Sequence, residues 1–211
     1  MAQGWHAARA PTADEPTPEP VQGDVAHAAN VLLLSPSMGE RAGAPCGGLL
    51  CETAAPEGVV LVSLASSPDA RLAAWRERAT TSPPERVAVL APGVADGETE
   101  RLPVPGSDAS ATVERIGPAP DLVGLWMAIS DRLDTWGDGR VVVCLDSLTV
   151  LLQFAEPRRT LRFCKTMADR IRVGGHAGHY HLDPSAVGDR AVAAFSRLVD
   201  DVAAHPAVDS R

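Results

Sequence analysis

The chain has almost no lysine. Lys165 is the only one among 211 residues, and arginine supplies every other basic side chain apart from histidine. With a formal net charge of −8, this scarcity leaves no basic patch to neutralise phosphates, which argues against general nucleic-acid binding and against an anionic membrane surface. The acidity is spread along the chain and not held in a tail. Scarce lysine, an acidic balance and abundant Ala, Gly and Pro fit a high-GC genome and a high-salt cytoplasm, and the arginine richness fits the first better than the second.

Long apolar runs are missing too. None approaches the ~18 residues that a membrane-spanning helix needs, and the chain does not open on a basic segment followed by an apolar core, as a secretory signal would. A cytoplasmic protein away from membranes is expected. The four cysteines, at 46, 51, 144 and 164, are too few and too irregular for a disulfide scaffold. Cys46 and Cys51 approach a metal-ligand spacing, but no second pair accompanies them, so buried or half-buried thiols are expected. There is no Gly-x-Ser-x-Gly elbow, and with it goes the usual sequence warrant for a serine hydrolase.

What the chain does have is a set of short apolar runs. Val141-Val142-Val143-Cys144-Leu145 ends abruptly at Asp146 and Ser147, and its brevity and β-branched content read as a strand buried on both faces, as in a parallel sheet covered by helices. Strands are predicted at 31–35, 59–64, 86–90, 141–146 and 178–182, with a short edge strand at 111–116. Helices are predicted near 68–79, 121–136, 158–173 and 186–203, and 148–154 reads as an apolar loop or short helix. In the 68–79 helix, Leu72 and Trp75 are expected inward, with Arg71, Arg76, Glu77 and Arg78 wet. Alternation of strand and helix gives an α/β fold, three layers with a mainly parallel sheet. The domain is expected over 30–204. Residues 1–29, with Pro11, Pro16, Pro18 and Pro20 among Thr, Asp and Glu, read as a disordered leader, and 205–211 as a flexible tail.

In such sheets ligands sit at the carboxyl ends of the strands. Two stretches end there. After the first strand comes Ser35-Pro36-Ser37-Met38-Gly39-Glu40-Arg41, where a nucleotide-binding protein would place its phosphate loop. The glycines are present, but not the Gly-Lys-Ser/Thr whose amides, ammonium and hydroxyl hold phosphate and Mg²⁺. Arg41 could meet a phosphate, although a planar guanidinium does not replace a compact ammonium in a tight loop. Asp146 reads either as a magnesium or water contact, or as a strand-end carboxylate that accepts backbone N–H groups or pairs with an arginine. Ser147 can hold a turn or face a ligand. His179 and His181 project to one face of their strand, where His176 or Asp183 could approach. They read as zinc ligands, as satisfied core histidines, or as contacts to a small molecule or partner, with the core reading preferred.

A resemblance joins these pieces. Ser-Pro-Ser-Met-Gly at 35–39, Val-Cys-Leu-Asp-Ser-Leu-Thr at 143–149, Arg162-Phe163 and Gly-His-Tyr-His-Leu-Asp-Pro at 178–184 are similar to those of an uncharacterised haloarchaeal family of degenerate RecA/KaiC-like P-loop proteins. That resemblance, over about residues 30–200, implies a RecA-like core, a phosphate-loop position at Ser35 to Arg41, and Asp146 at the magnesium-facing position. Without Gly-Lys-Ser/Thr, ATPase activity does not carry over with the fold. The expected function is therefore a non-catalytic domain in regulation or protein interaction, with a protein partner or self-association. The alternative is a divergent nucleotide-binding sensor or enzyme with a pocket near Asp146 and His179. Residues expected to face a ligand are Ser37, Gly39, Arg41, Asp146, Ser147, His179 and His181. No metal and no cofactor are expected, a nucleotide with Mg²⁺ being the one the site position would suit.

Overall fold

A computed structural model of the chain describes residues 28–36, 56–78, 83–94, 100–117, 121–136 and 139–204. Its strands are β1 (Asn30–Leu34), β2 (Gly58–Ser63), β3 (Arg86–Ala91), β4 (Glu100–Pro103), β5 (Ser110–Arg115), β6 (Val141–Asp146), β7 (Ala177–Leu182) and β8 (Asp201–Ala204). The helices are α1 (Pro68–Arg78), α2 (Leu122–Thr135), α3 (Leu148–Phe154), α4 (Pro157–Val173), α5 (Pro184–Val187) and α6 (Asp189–Ser196). Residues 1–27, 37–55 and 205–211, on which the expected leader, phosphate-loop position and tail largely fall, lie outside the described residues.

One sheet takes in all of these strands, in the order β4-β5-β3-β2-β6-β7-β1-β8. Every pairing is parallel except that of β4 with β5. The β-branched run of β6 sits mid-sheet, and Val141 to Leu145 are all buried. Period-2 alternation then divides the core. Leu32, Val60, Val62, Val143, Leu145 and Leu182 pack with Leu125 and Ile129 of α2, Leu148 and Leu151 of α3, Met167 and Ile171 of α4, and Phe195 of α6. Val31, Leu33, Val59, Leu61, Val142 and Cys144 pack on the opposite face, against Leu72 and Trp75 of α1. Helices thus cover both faces of the sheet, giving a three-layer α/β/α arrangement.

Helix starts follow local chemistry. Asp121 accepts from the backbone N–H of Val123 at 3.0 Å to open α2, Ser147 accepts from Val150 N–H at 3.3 Å to open α3, and Pro157 occupies the first turn of α4. At the other end of the sheet, the Asn30 side chain donates to Ala168 O at 3.0 Å and accepts from Tyr180 Oη at 3.0 Å. These bonds tie β1, β7 and α4 together below the core.

Two expectations are corrected. The single helix predicted over 186–203 is two short helices followed by a strand. Gly188 breaks it with φ 76°, a conformation that favours glycine, and β8 then pairs in parallel with the otherwise open edge of β1. An unpaired strand edge is a row of unmet N–H and C=O groups, and Asp200 begins to satisfy it by accepting from Asn30 N–H through its carboxylate at 2.8 Å. The strand expected at the sheet edge over 111–116 is internal as β5, between β3 and β4. The edge is β4, whose terminal Pro103 has no N–H to offer a further strand.

Candidate functional site

The carboxyl ends of β1, β2, β6 and β7 open onto a cleft of about 270 Å³. Ser35 follows β1, Ser66 follows β2, Asp146 and Ser147 end β6, and His181 and Asp183 come from the end of β7. Register explains the gathering, because Ser63 of β2 pairs with Asp146 of β6 and Leu34 of β1 with Leu182 of β7. The Asp146–Ser147 peptide bond is cis.

Arg71, from the first half of α1, crosses the lining and is only 3% exposed. Its Nη1 lies 3.7 Å from Asp146 Oδ2, and Nη2 donates to Cys144 Sγ at 2.8 Å. The expectation that Arg71 is wet is therefore corrected. Arg71 and Trp75 are four residues apart, so they share a helix face, and the inward side that takes Leu72 and Trp75 takes the guanidinium as well. That spacing was the available sequence signal. A guanidinium taken out of water needs a charged or hydrogen-bonding neighbour, and Asp146 supplies one.

His181 is 2% exposed, and its Nε2 lies 3.2 Å from Cys144 Sγ. Cys144 is disulfide-bonded, which departs from the expected free thiol. A disulfide sulfur has no proton to give, so Nε2 carries the hydrogen and donates. Nδ1 of the neutral ring is then a bare acceptor, buried and with no hydrogen-bond partner among the described residues. Burial, with Arg71 adding to it and Asp146 opposing it, lowers the His181 pKa to about 4. His179 lies two residues deeper on the same strand face, buried beside the Cys144 register position. Burial first, then the neighbouring His181 and Arg140, lowers its pKa to about 3.

The expected ligand-facing residues thus divide. Asp146, Ser147 and His181 meet at the cleft, His179 sits below it, and Ser37, Gly39 and Arg41 lie outside the described residues. The residues weighed as further zinc ligands are otherwise engaged. His176 Nδ1 accepts from Val141 N–H at 3.3 Å, and the Asp183 carboxylate accepts from Ser185 N–H at 3.0 Å, capping α5. Among the described residues no three His, Cys, Asp or Glu side chains gather as a metal site would. Ser35, which the sequence placed at the start of the phosphate-loop position, lines the cleft, whereas Arg71 and Ser66 were missed as cleft residues, because strand order and not local pattern brings them to Asp146.

The described helices include none long and apolar enough to cross a membrane. No protein of curated function matches the chain. Residues 28–204, most of its length, match the model of a family of unknown function, DUF7504. The chain belongs to that family.

Proposed function

We propose that this chain is a non-catalytic RecA/KaiC-like domain that works in regulation or protein interaction. The observation that carries the reading is the pairing of Asp146 with buried Arg71. A magnesium-facing aspartate must offer its carboxylate to a hydrated dication, and a guanidinium 3.7 Å away competes for the same oxygen. The loop after β1 has no Gly-Lys-Ser/Thr, so neither the ammonium nor the hydroxyl that would hold a triphosphate and its metal is available. Support for the scaffold half comes from the parallel order β6-β7-β1, which opens Asp146 and the loop after β1 onto the same sheet end.

A second reading, a divergent nucleotide-binding sensor or enzyme, is favoured by the cleft itself, since Asp146 and His181 border open volume. Steady-state phosphate release from ATP with Mg²⁺, across a range of salt, separates the two. Wild type, Asp146→Asn and Arg41→Ala are expected to be equally inactive. Magnesium-dependent turnover that disappears in both variants would sink the non-catalytic reading.

A further inference from the structure

Helices α2 and α4 lie side by side on one face of the sheet, and their border changes character along its length. In their second halves it is closed by an ion pair, Asp134 of α2 with Arg170 of α4. Toward their starts it opens into a groove of about 280 Å³, lined by Leu122, Val123 and Trp126 from α2 and by Arg159, Arg162 and Phe163 from α4. Arg159, Phe163 and Arg170 belong to one stripe of α4, since they recur at helical spacing. Here, however, α2 has no acid to offer. Its own carboxylates, Asp131 and Asp134, both fall in its second half, and Asp121 just ahead of it caps the helix. Pro118, Ala119 and Pro120, the undescribed residues before Asp121, carry no charge. Among the described residues Arg159 and Arg162 have no ion pair, whereas Lys165, Arg170 and Arg172 of the same helix all do. The apolar lining is as open as the charge. Val123 is 58% exposed and Trp126 half-buried, beside Phe163. Exposed apolar residues scattered singly are ordinary, but gathered in one groove with arginines they have the composition of a contact surface.

We propose that the groove between the first halves of α2 and α4 binds an acidic peptide segment of a partner protein. A large apolar side chain of that segment rests against Trp126 and Phe163, and its carboxylates accept from Arg159 and Arg162. The Asp134–Arg170 pair shows, further down the same border, the contact that the groove leaves for a partner to make. Guanidinium groups suit carboxylates in particular, because their planar fork matches two oxygens at once. A second copy of the chain in two-fold contact would set the same arginines against one another, and a bare anion would leave the apolar lining uncovered. The inference rests on the protein-interaction reading proposed above, but on no group of the cleft. Turnover of ATP would overturn the non-catalytic reading and leave the groove untouched, and a groove that takes no acidic peptide would leave the Arg71–Asp146 pair as it stands.

The test uses the full chain and a fluorescein-labelled synthetic peptide in which Asp and Glu flank a Leu-Trp pair, read by fluorescence anisotropy. The peptide is expected to bind, less tightly as salt rises, and its Asn and Gln counterpart to bind about tenfold more weakly. The double variant Arg159→Gln with Arg162→Gln, at two exposed positions, is expected to lose about the same factor with an unchanged urea midpoint. Val123→Glu gives α2 the carboxylate it lacks there, and is expected to abolish binding with the midpoint unchanged or raised. Should that variant fail to fold, the arginine variant still decides. The proposal is overturned if the acidic peptide does not bind, if its neutral counterpart binds equally well, or if the arginine variant binds as wild type does. It is equally overturned if a peptide of residues 1–27 binds more tightly, which would make the chain its own occupant. A dimer in sedimentation that Val123→Glu dissociates would likewise overturn it in favour of a second copy.

Discussion

Arg71 and Asp146 decide what the cleft can do. Removing the carboxylate takes from a guanidinium that is 3% exposed its one ion-pair partner among the described residues, and removing the guanidinium takes a cation from a carboxylate that is 22% exposed. Each of Arg71→Met and Asp146→Asn is expected to lower unfolding free energy by ~1–3 kcal/mol, with a coupling of about 1 kcal/mol in the double variant. Urea unfolding of the four proteins measures it, and a coupling below ~0.3 kcal/mol would place Asp146 outside the pair. The histidines supply a second residue-scale prediction. Burial lowers His181 to about 4 and His179 to about 3, and His176 is shifted the same way, whereas the unfolded chain titrates near ~6.5. Below that value the unfolded state takes up protons that the folded state refuses. Stability is therefore full above about pH 6.5 and falls with acidification, by up to ~1.4 kcal/mol per pH unit for each such histidine. The lowered carboxylates Asp169 and Asp200 lose their contributions only below about pH 4, so the window above it belongs to the histidines. A urea midpoint that stays flat from about pH 7 to 5 would contradict the burial described.

At the scale of elements, the sheet is held by strands whose buried apolar positions leave no room for an unpaired charge or a larger side chain. Val143 of β6 is 1% exposed, and Val143→Asp, which puts an unpaired carboxylate there, is expected to cost ~4 kcal/mol or more. Met127→Ala, at a position 65% exposed, should stay within ~0.5 kcal/mol of wild type. In β7, a Cβ on Gly178 would lie 2.8 Å from Ile171 Cδ1, 2.9 Å from Asn30 Oδ1 and 3.0 Å from Tyr180 Oη. Gly178→Ala is therefore expected to lose ~1–3 kcal/mol in thermal or urea unfolding, and an unchanged midpoint would show that this junction yields freely. The strands legible in sequence were those whose both faces are buried, since Val141 to Leu145 or Val59 to Val62 can hardly be read otherwise. The element at 201–204 was not legible, because Asp-Val-Ala-Ala carries no strand signature and Val202 also continues the helical spacing from Phe195 and Leu198. Its identity comes from the open edge of β1, a partner 170 residues away in sequence at the Asn30–Asp200 bond. Gly188 was the one local sign that a single helix could not run through.

Across the whole molecule, the site is a product of strand order. The sequence placed Asp146 and Ser147 at a strand end and left the assembly open, because no pattern within β6 states that β2 and β7 flank it. Only that order sets α1 beside the cleft and turns Arg71 from a surface charge into the neighbour of Asp146. The position that a RecA/KaiC-like scaffold would give to its metal is, on this view, held by an ion pair. Titrating Mn²⁺ into the full chain, alone and with ATP, while following water proton relaxation in wild type and Asp146→Asn, tests that claim most directly. The two proteins are expected to give the same titration. A bound Mn²⁺ that is present in wild type and lost in Asp146→Asn would contradict it.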